Sequence, residues 1–336
     1  MHARISAVSY YLPDSKLTNE KLSREFPEWS VDKISRKTGI SSRSIAAADE
    51  FSSHLAVNAA KRLSEEHGIS LDSVDYLILC TQSPDFFLPT TSAIVQAELG
   101  LKRNLGATDI NLGCSGYAYA LGLAKGLVES NQVNNVLVIT ADTYSKFINE
   151  KDKSVRTIFG DGASATFVVG DAKESHLNGM VYGTDGSGAK HLIVPNGGLR
   201  DGRDLAPASV PEARGLDASG HDLYMDGKEI FNFTLDRVPA VAEQILMKAQ
   251  LTAEDIDLFV FHQANAFMLE HLRKKMDIPV EKFVIELSES GNTVSSTIPI
   301  ALSRIASDGR LKPGMKVMLL GFGVGLSWGG LVLTWG

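Results

Sequence analysis

A weak internal repeat constrains this chain more than any single motif does. Residues 74–80 read Val-Asp-Tyr-Leu-Ile-Leu-Cys and residues 256–262 read Ile-Asp-Leu-Phe-Val-Phe-His, two apolar runs of strand length about 180 residues apart. Residues 135–140 and 316–321 form a second such pair. Between the members of each pair lie a strand, a small-residue turn and a helix. In the first half these are residues 107–112, Gly113-Cys114-Ser115-Gly116 and a helix through Val128; in the second they are residues 283–287, Ser290-Gly291-Asn292-Thr293 and a helix through Ile305. Short apolar strands alternating with helices predict buried, largely parallel sheets covered by helices. Order and spacing match over two successive units, which favours a duplicated α/β fold over the generic likeness of any two βαβ segments. The divide is expected near residues 170–179, giving halves 1–173 and 174–336.

Composition then removes function classes. A formal net charge of -7 argues against a polybasic nucleic-acid or membrane-surface binder. No apolar run reaches the roughly 18 residues of a membrane helix, and the first residues lack the order of a signal peptide, so a cytoplasmic protein is expected. Cys80 and Cys114 are too few for a disulfide framework, and the 8 histidines show no paired metal spacing. Residues 183–229, rich in Gly and Pro, read as a long excursion shaping a site or an interface. Residues 17–64 read as helices interrupted at Lys37-Thr38-Gly39-Ile40.

Three residues stand where chemistry is expected. Cys114 follows an apolar strand, lies between Gly113 and Gly116 and precedes a long helix, so the helix N-terminus is expected to favour its thiolate. The alternative is a buried structural cysteine, which is the reading for mid-strand Cys80. His262 ends an apolar strand at the carboxyl edge where α/β sheets place their sites; the alternative is a histidine at a helix cap. Asn292 occupies the turn in the second half that Cys114 occupies in the first, with an N-cap as its alternative. Two halves related by a pseudo-two-fold axis would let all three converge. Residues 321–325 (Gly-Phe-Gly-Val-Gly) are no dinucleotide loop, because a strand follows them instead of a helix; such a turn rather offers backbone N–H groups to an oxyanion.

Taken together, Gly113-Cys114-Ser115-Gly116, Phe159-Gly160-Asp161-Gly162-Ala163, His262-Gln263-Ala264-Asn265, Gly291-Asn292-Thr293 and the glycine-rich run 321–330 resemble, in order and across nearly the whole chain, the β-ketoacyl-acyl-carrier-protein synthase III family of the thiolase-like superfamily. The resemblance implies a thiolase-like five-layer αβαβα fold, a homodimer, and a 3-oxoacyl synthase of fatty-acid metabolism. Cys114 would take the acyl group from a thioester. The N–H groups of Cys114 and Gly325 would form the oxyanion hole. His262, with Nε2 protonated, and Asn292 would hold the carbonyl of a malonyl thioester as it loses CO2. Phe322 would flank the nucleophile, Asn265 would bind substrate, and Leu88 would line the partner's acyl pocket. No cofactor is implied beyond acyl-CoA or acyl-carrier-protein thioesters as substrates. Fatty-acid-initiating family members carry a tryptophan and an arginine that sandwich adenine; alignment puts Lys33 and Lys37 there, so that aromatic stacking is expected to be absent, and where such members have an arginine associated with carrier-protein docking this chain has Phe267. The basic run Arg273-Lys274-Lys275 is then the candidate docking patch, or an ordinary solvated helix face. Two other readings are an acyltransferase acting on a hydroxyl or amine of a sugar or secondary metabolite, and an inactive scaffold on the same fold.

Overall fold

The computed structural model describes residues 1–200 and 220–336. Part of the excursion at 183–229 therefore lies outside the described residues. One sheet contains β1 (His2–Tyr11), β2 (Tyr76–Cys80), β3 (Gly106–Ile110), β4 (Asn135–Asp142) and β5 (Gly162–Ala172), in the order β1-β5-β4-β2-β3. The other contains β6 (Leu177–Thr184), β7 (Leu258–Phe261), β8 (Lys316–Gly323) and β9 (Ser327–Thr334), in the order β6-β9-β8-β7. The second order repeats the first strand for strand, up to the place of β3.

Residues 283–287 were expected to fill that place as a strand, and they do not. Only an isolated parallel bridge, Phe259 to Phe283, remains. The side chain of Gln263 supplies the missing ladder: its Nε2 donates to Val284 O at 3.3 Å and its Oε1 accepts from Glu286 N at 2.7 Å. The sheets are also less parallel than expected. β2 pairs in parallel with β3 and β4, while β5 runs antiparallel to β1 and β4. In the second sheet β8 is parallel to β7, while β9 is antiparallel to β8 and to β6. Only Val324–Leu326 joins β8 to β9, far too short for a parallel crossover, so a hairpin is forced.

Helices α1 (Val31–Thr38), α2 (Ser52–His67), α3 (Gly116–Glu129), α4 (Gly227–Ala249), α5 (Ala266–Lys275) and α6 (Thr297–Ser307) complete the layers. α3 and α6 lie between the sheets, where Ala118, Ala120, Leu121, Ile298 and Leu302 pack against Val138, Val260 and Leu319. A small residue on β9 lets α3 approach: a Cβ on Gly329 would sit only 3.0 Å from the Tyr119 ring of α3. α2 covers the outer face of the first sheet, and α4 and α5 that of the second. The result is a five-layer αβαβα, thiolase-like architecture. Each fully buried Leu or Ile in these layers contributes roughly 1.5–3 kcal/mol through area removed from water.

Candidate active site

Cys114 sits in the elbow between β3 and α3, closed by a Gly116 N–H to Gly113 O hydrogen bond of 2.8 Å. Neighbouring elements approach too closely here for side chains. A Cβ on Gly323 would lie 2.7 Å from the Cys114 sulfur, and one on Gly321 would meet the Cys114 carbonyl oxygen and lie 2.8 Å from Ser115 Cα. The thiol is 4% exposed. The nearby backbone N–H groups of Val324 and of Cys114 itself favour its anion, yet burial outweighs both and pushes the thiol up to about 12. The expectation of a thiolate held by the helix terminus is thus corrected: desolvation wins, and the resting group is a thiol. Beside the expected oxyanion residue Gly325, it is Val324 whose backbone N–H stands near the sulfur, and neither Val324 nor Gly325 lines the cavity.

His262 follows β7, where its N–H continues the ladder to Leu320 O at 2.9 Å. Its ring stands edge-on to Phe322 with centroids 5.6 Å apart, and Nδ1 lies 2.7 Å from Thr297 Oγ1. Burial lowers its pKa to about 3, so the imidazole is neutral. Asn292 is no helix cap, because α6 starts at Thr297. Its loop is clipped to the first half instead, Asn292 N donating to Ile158 O and Gly160 N to Asn292 O, each at 3.0 Å. Gly291, with φ +70, permits this, since a Cβ would lie 2.9 Å from Ile158 O. Asn292 Oδ1 accepts from Val294 N at 2.9 Å, which turns Nδ2 toward His262 Nε2 at 3.5 Å.

Cys114, His262, Asn292, Asn265 and Phe322 all line one cavity of about 470 Å³. Asn265 also caps α5, accepting from Met268 N at 2.9 Å. Phe267 lines the rim and is half exposed. Other expected residues lie elsewhere. Leu88 is 87% exposed beside exposed Phe86 and Phe87. Arg273 is paired to Glu270 and donates to Ile278 O at 3.0 Å, and neither it nor Lys274 or Lys275 reaches the cavity.

Two residues escaped sequence reasoning. Trp29 lines the mouth beside Lys37, with the ammonium groups of Lys33, Lys37 and Lys153 at 5.2, 5.5 and 5.8 Å from its ring. The expected absence of an aromatic is corrected: Trp29, just ahead of the Ser30 cap of α1, turns its ring toward Lys33 and Lys37 of that helix. Asp142 is buried where the halves meet, accepting from Gln82 N at 2.8 Å, from Ser295 N at 3.3 Å and from the Ser295 hydroxyl. Burial raises its pKa to about 7.

The family model described as 3-oxoacyl-[acyl-carrier-protein] synthase III matches residues 108–186, and the one described as its C terminal matches residues 246–335. A β-ketoacyl-[acyl-carrier-protein] synthase III of Caldanaerobacter subterraneus subsp. tengcongensis is 38% identical over 99% of this chain and 98% of its own length. One from Syntrophomonas wolfei subsp. wolfei is 38% identical over 100% and 98%. A crystal structure of a 3-oxoacyl-(acyl-carrier-protein) synthase III superposes with a TM-score of 0.93 at 48% identity, covering 100% of both chains.

Proposed function

The chain belongs to the β-ketoacyl-acyl-carrier-protein synthase III family and is a condensing acyltransferase, and from that premise we propose that Cys114, His262 and Asn292 carry the reaction. The observation that carries this reading is the convergence of all three on one cavity, with Asn292 Nδ2 and His262 Nε2 3.5 Å apart. Two nitrogens at that separation can both reach one oxygen at ordinary hydrogen-bond distance.

In the first half-reaction the Cys114 sulfur attacks an acyl thioester. The developing oxyanion meets the N–H groups of Cys114 and Val324, and the thiol proton leaves with the departing sulfur. A malonyl thioester then enters with its carbonyl oxygen between His262 and Asn292. The bond to its carboxylate breaks, CO2 departs, and the electron pair spreads onto that oxygen as an enolate. The enolate carbon attacks the acyl carbon on Cys114, the cysteine sulfur leaves as a thiolate that takes up one proton from solvent, and a 3-oxoacyl thioester results. Phe322 stands edge-on to the His262 ring and packs against it.

Acyl-CoA is the first donor in this reading, because Trp29 with three lysine ammoniums around it suits a purine and its phosphates. The malonyl group arrives on an acyl carrier protein, the partner named in the relatives. A second copy of the chain is the remaining partner. β3 has a neighbour on one edge only, and Phe86, Phe87 and Leu88 stand 61, 77 and 87% exposed. A cytoplasmic setting accords with a reaction between such carriers; among the described residues no helix is long and apolar enough to cross a membrane.

Intact-protein mass spectrometry tests the reading. An acyl adduct should form with acyl-CoA in wild-type protein and not in Cys114→Ala, and a malonyl-carrier chase should clear it as a 3-oxoacyl product. In Asn292→Ala the adduct should form and resist the chase. An adduct that persists in the wild type would replace condensation with transfer to another acceptor.

A further inference from the structure

The condensation reading requires a hydrogen on His262 Nε2, and an unprotonated imidazole has only one N–H to place. What decides its tautomer is the group at Nδ1. That group is the hydroxyl of Thr297, the first residue of α6, buried at 3% exposure and 2.7 Å from Nδ1. We infer that Thr297 is the positioning residue that donates its hydroxyl proton to Nδ1 and thereby fixes the Nε2–H tautomer of His262. The inference rests on the reading of His262 and Asn292 as paired donors, and it names what makes the first of them a donor.

The local network allows two proton arrangements, and its distances separate them. Thr297 Oγ1 has one proton and two acceptors in reach, His262 Nδ1 at 2.7 Å and Val294 O at 3.1 Å. Were the proton given to Val294 O, the imidazole would carry its hydrogen on Nδ1, and Nε2 would be a lone pair facing the Asn292 amide. That amide is held in a fixed sense, because Oδ1 is occupied by Val294 N–H at 2.9 Å, leaving the NH2 end toward Nε2. A donor facing a lone pair in a buried site closes to about 2.9–3.0 Å, whereas Nδ2 and Nε2 stand 3.5 Å apart. That gap is what two donors leave when both address a third atom. The shorter Thr297 contact and the open Asn292 contact therefore select the same arrangement. Val294 serves twice, its N–H orienting Asn292 and its C=O lying in reach of Thr297, so one short turn sets both donors.

The mechanism gives Thr297 work in one half-reaction only. Acylation of Cys114 uses the backbone N–H groups of Cys114 and Val324, which are remote in connectivity from the α6 start. Decarboxylation uses Nε2–H. Thr297→Val, close in shape but without a hydroxyl, should acylate Cys114 at the wild-type rate and lose about tenfold in release of CO2 from a malonyl thioester. Thr297→Ser should recover most of that loss. Tautomer is read directly, without activity, from 15N–1H spectra of histidine-labelled protein, with His262→Gln locating the resonance. The wild type should show a pyrrole-type Nε2 and a pyridine-type Nδ1, and Thr297→Val should show a mixture. A protonated Nδ1 in the wild type would overturn the inference, as would an equal loss of both half-reactions in Thr297→Val or no loss at all. A wild-type protein that neither acylates nor decarboxylates would sink the functional reading instead, while the spectra would still decide the tautomer.

Discussion

Replacing Gly321 by alanine tests whether the nucleophile is positioned by backbone contact between the two halves. Gly321 lies on β8, and a Cβ there would sit 2.8 Å from Ser115 Cα and nearer still to the Cys114 carbonyl oxygen. Restoring an ordinary carbon–carbon separation of about 3.5–4.0 Å requires a shift of roughly 0.7–1.2 Å. Both obstructing atoms are backbone, so no rotamer change relieves the overlap. β8 is hydrogen-bonded on both edges, by β7 and β9, and the elbow is therefore the part that yields. Displacing the elbow moves the Cys114 sulfur relative to the N–H of Val324. A misplacement of about 1 Å at a reacting group costs on the order of 100-fold, or about 2.7 kcal/mol in the barrier. The overpacking itself should cost about 1–3 kcal/mol of stability, short of unfolding. Stopped acylation reactions read by intact mass should show the 100-fold fall, while CO2 release from a malonyl thioester changes far less. A folded variant that acylates within about threefold of wild type would refute the idea that this contact sets the sulfur.

Two further outcomes follow from the mouth and from the buried carboxylate. Trp29→Ala should raise KM for acyl-CoA about tenfold or more, as stacking on a base contributes about 1–3 kcal/mol, and leave kcat and the KM for an acyl-pantetheine thioester unchanged; equal effects on both donors would remove Trp29 from nucleotide recognition. Asp142 has its pKa raised to about 7 by burial, against roughly 3.9 for an unfolded carboxyl, so the folded state binds the extra proton. Its contribution is fully present below about pH 4 and is lost as pH rises through 7. Urea unfolding at pH 5 and pH 8 should therefore show a larger loss of stability in wild type than in Asp142→Asn, by up to about 2.6 kcal/mol, and parallel losses would refute the assignment.

The features legible in the sequence were those written in backbone geometry. The repeated strand–turn–helix units survive as β2 with β7 and β4 with β8, because apolar runs and glycine turns report on chain direction and burial. Cys114, His262 and Asn292 were locatable since each sits where such a unit changes direction. What stayed hidden depended on side chains acting across sequence distance. The Phe283 segment has the composition of a strand, but Gln263 takes its hydrogen bonds, and nothing in a local window says so. Trp29 belongs to the mouth through the lysines at positions 33, 37 and 153 around its ring, one of them brought in from a distant segment. That the N–H of Val324 stands near the Cys114 sulfur turns on how the hairpin between β8 and β9 is wound, which no local window displays. The state of the thiol was misjudged for a different reason: the helix terminus is visible in sequence, whereas the full desolvation that opposes it is a property of the packed molecule.

That desolvation orders the chemistry. Burial drives Cys114 up to about 12 and His262 down to about 3, so both are uncharged at neutral pH. Among the described residues that line the cavity, the only charged ones are Lys37 and Lys228, and both are exposed. Positive charge thus stands where solvent reaches and none at the floor. An anionic thioester is drawn to such a mouth and meets an uncharged interior as it descends, where its carboxylate loses water and gains no cation in exchange. In the proposed reaction, breaking the bond to that carboxylate releases neutral CO2 and moves the charge to the thioester oxygen, which the side-chain N–H groups of His262 and Asn292 would both reach. A cationic histidine or a lysine at the floor would instead hold the carboxylate in its ground state and oppose its loss. The low pKa of His262 is on this argument part of the mechanism, and the hydrogen on Nε2 that Thr297 secures is what lets a neutral ring still stabilise the enolate.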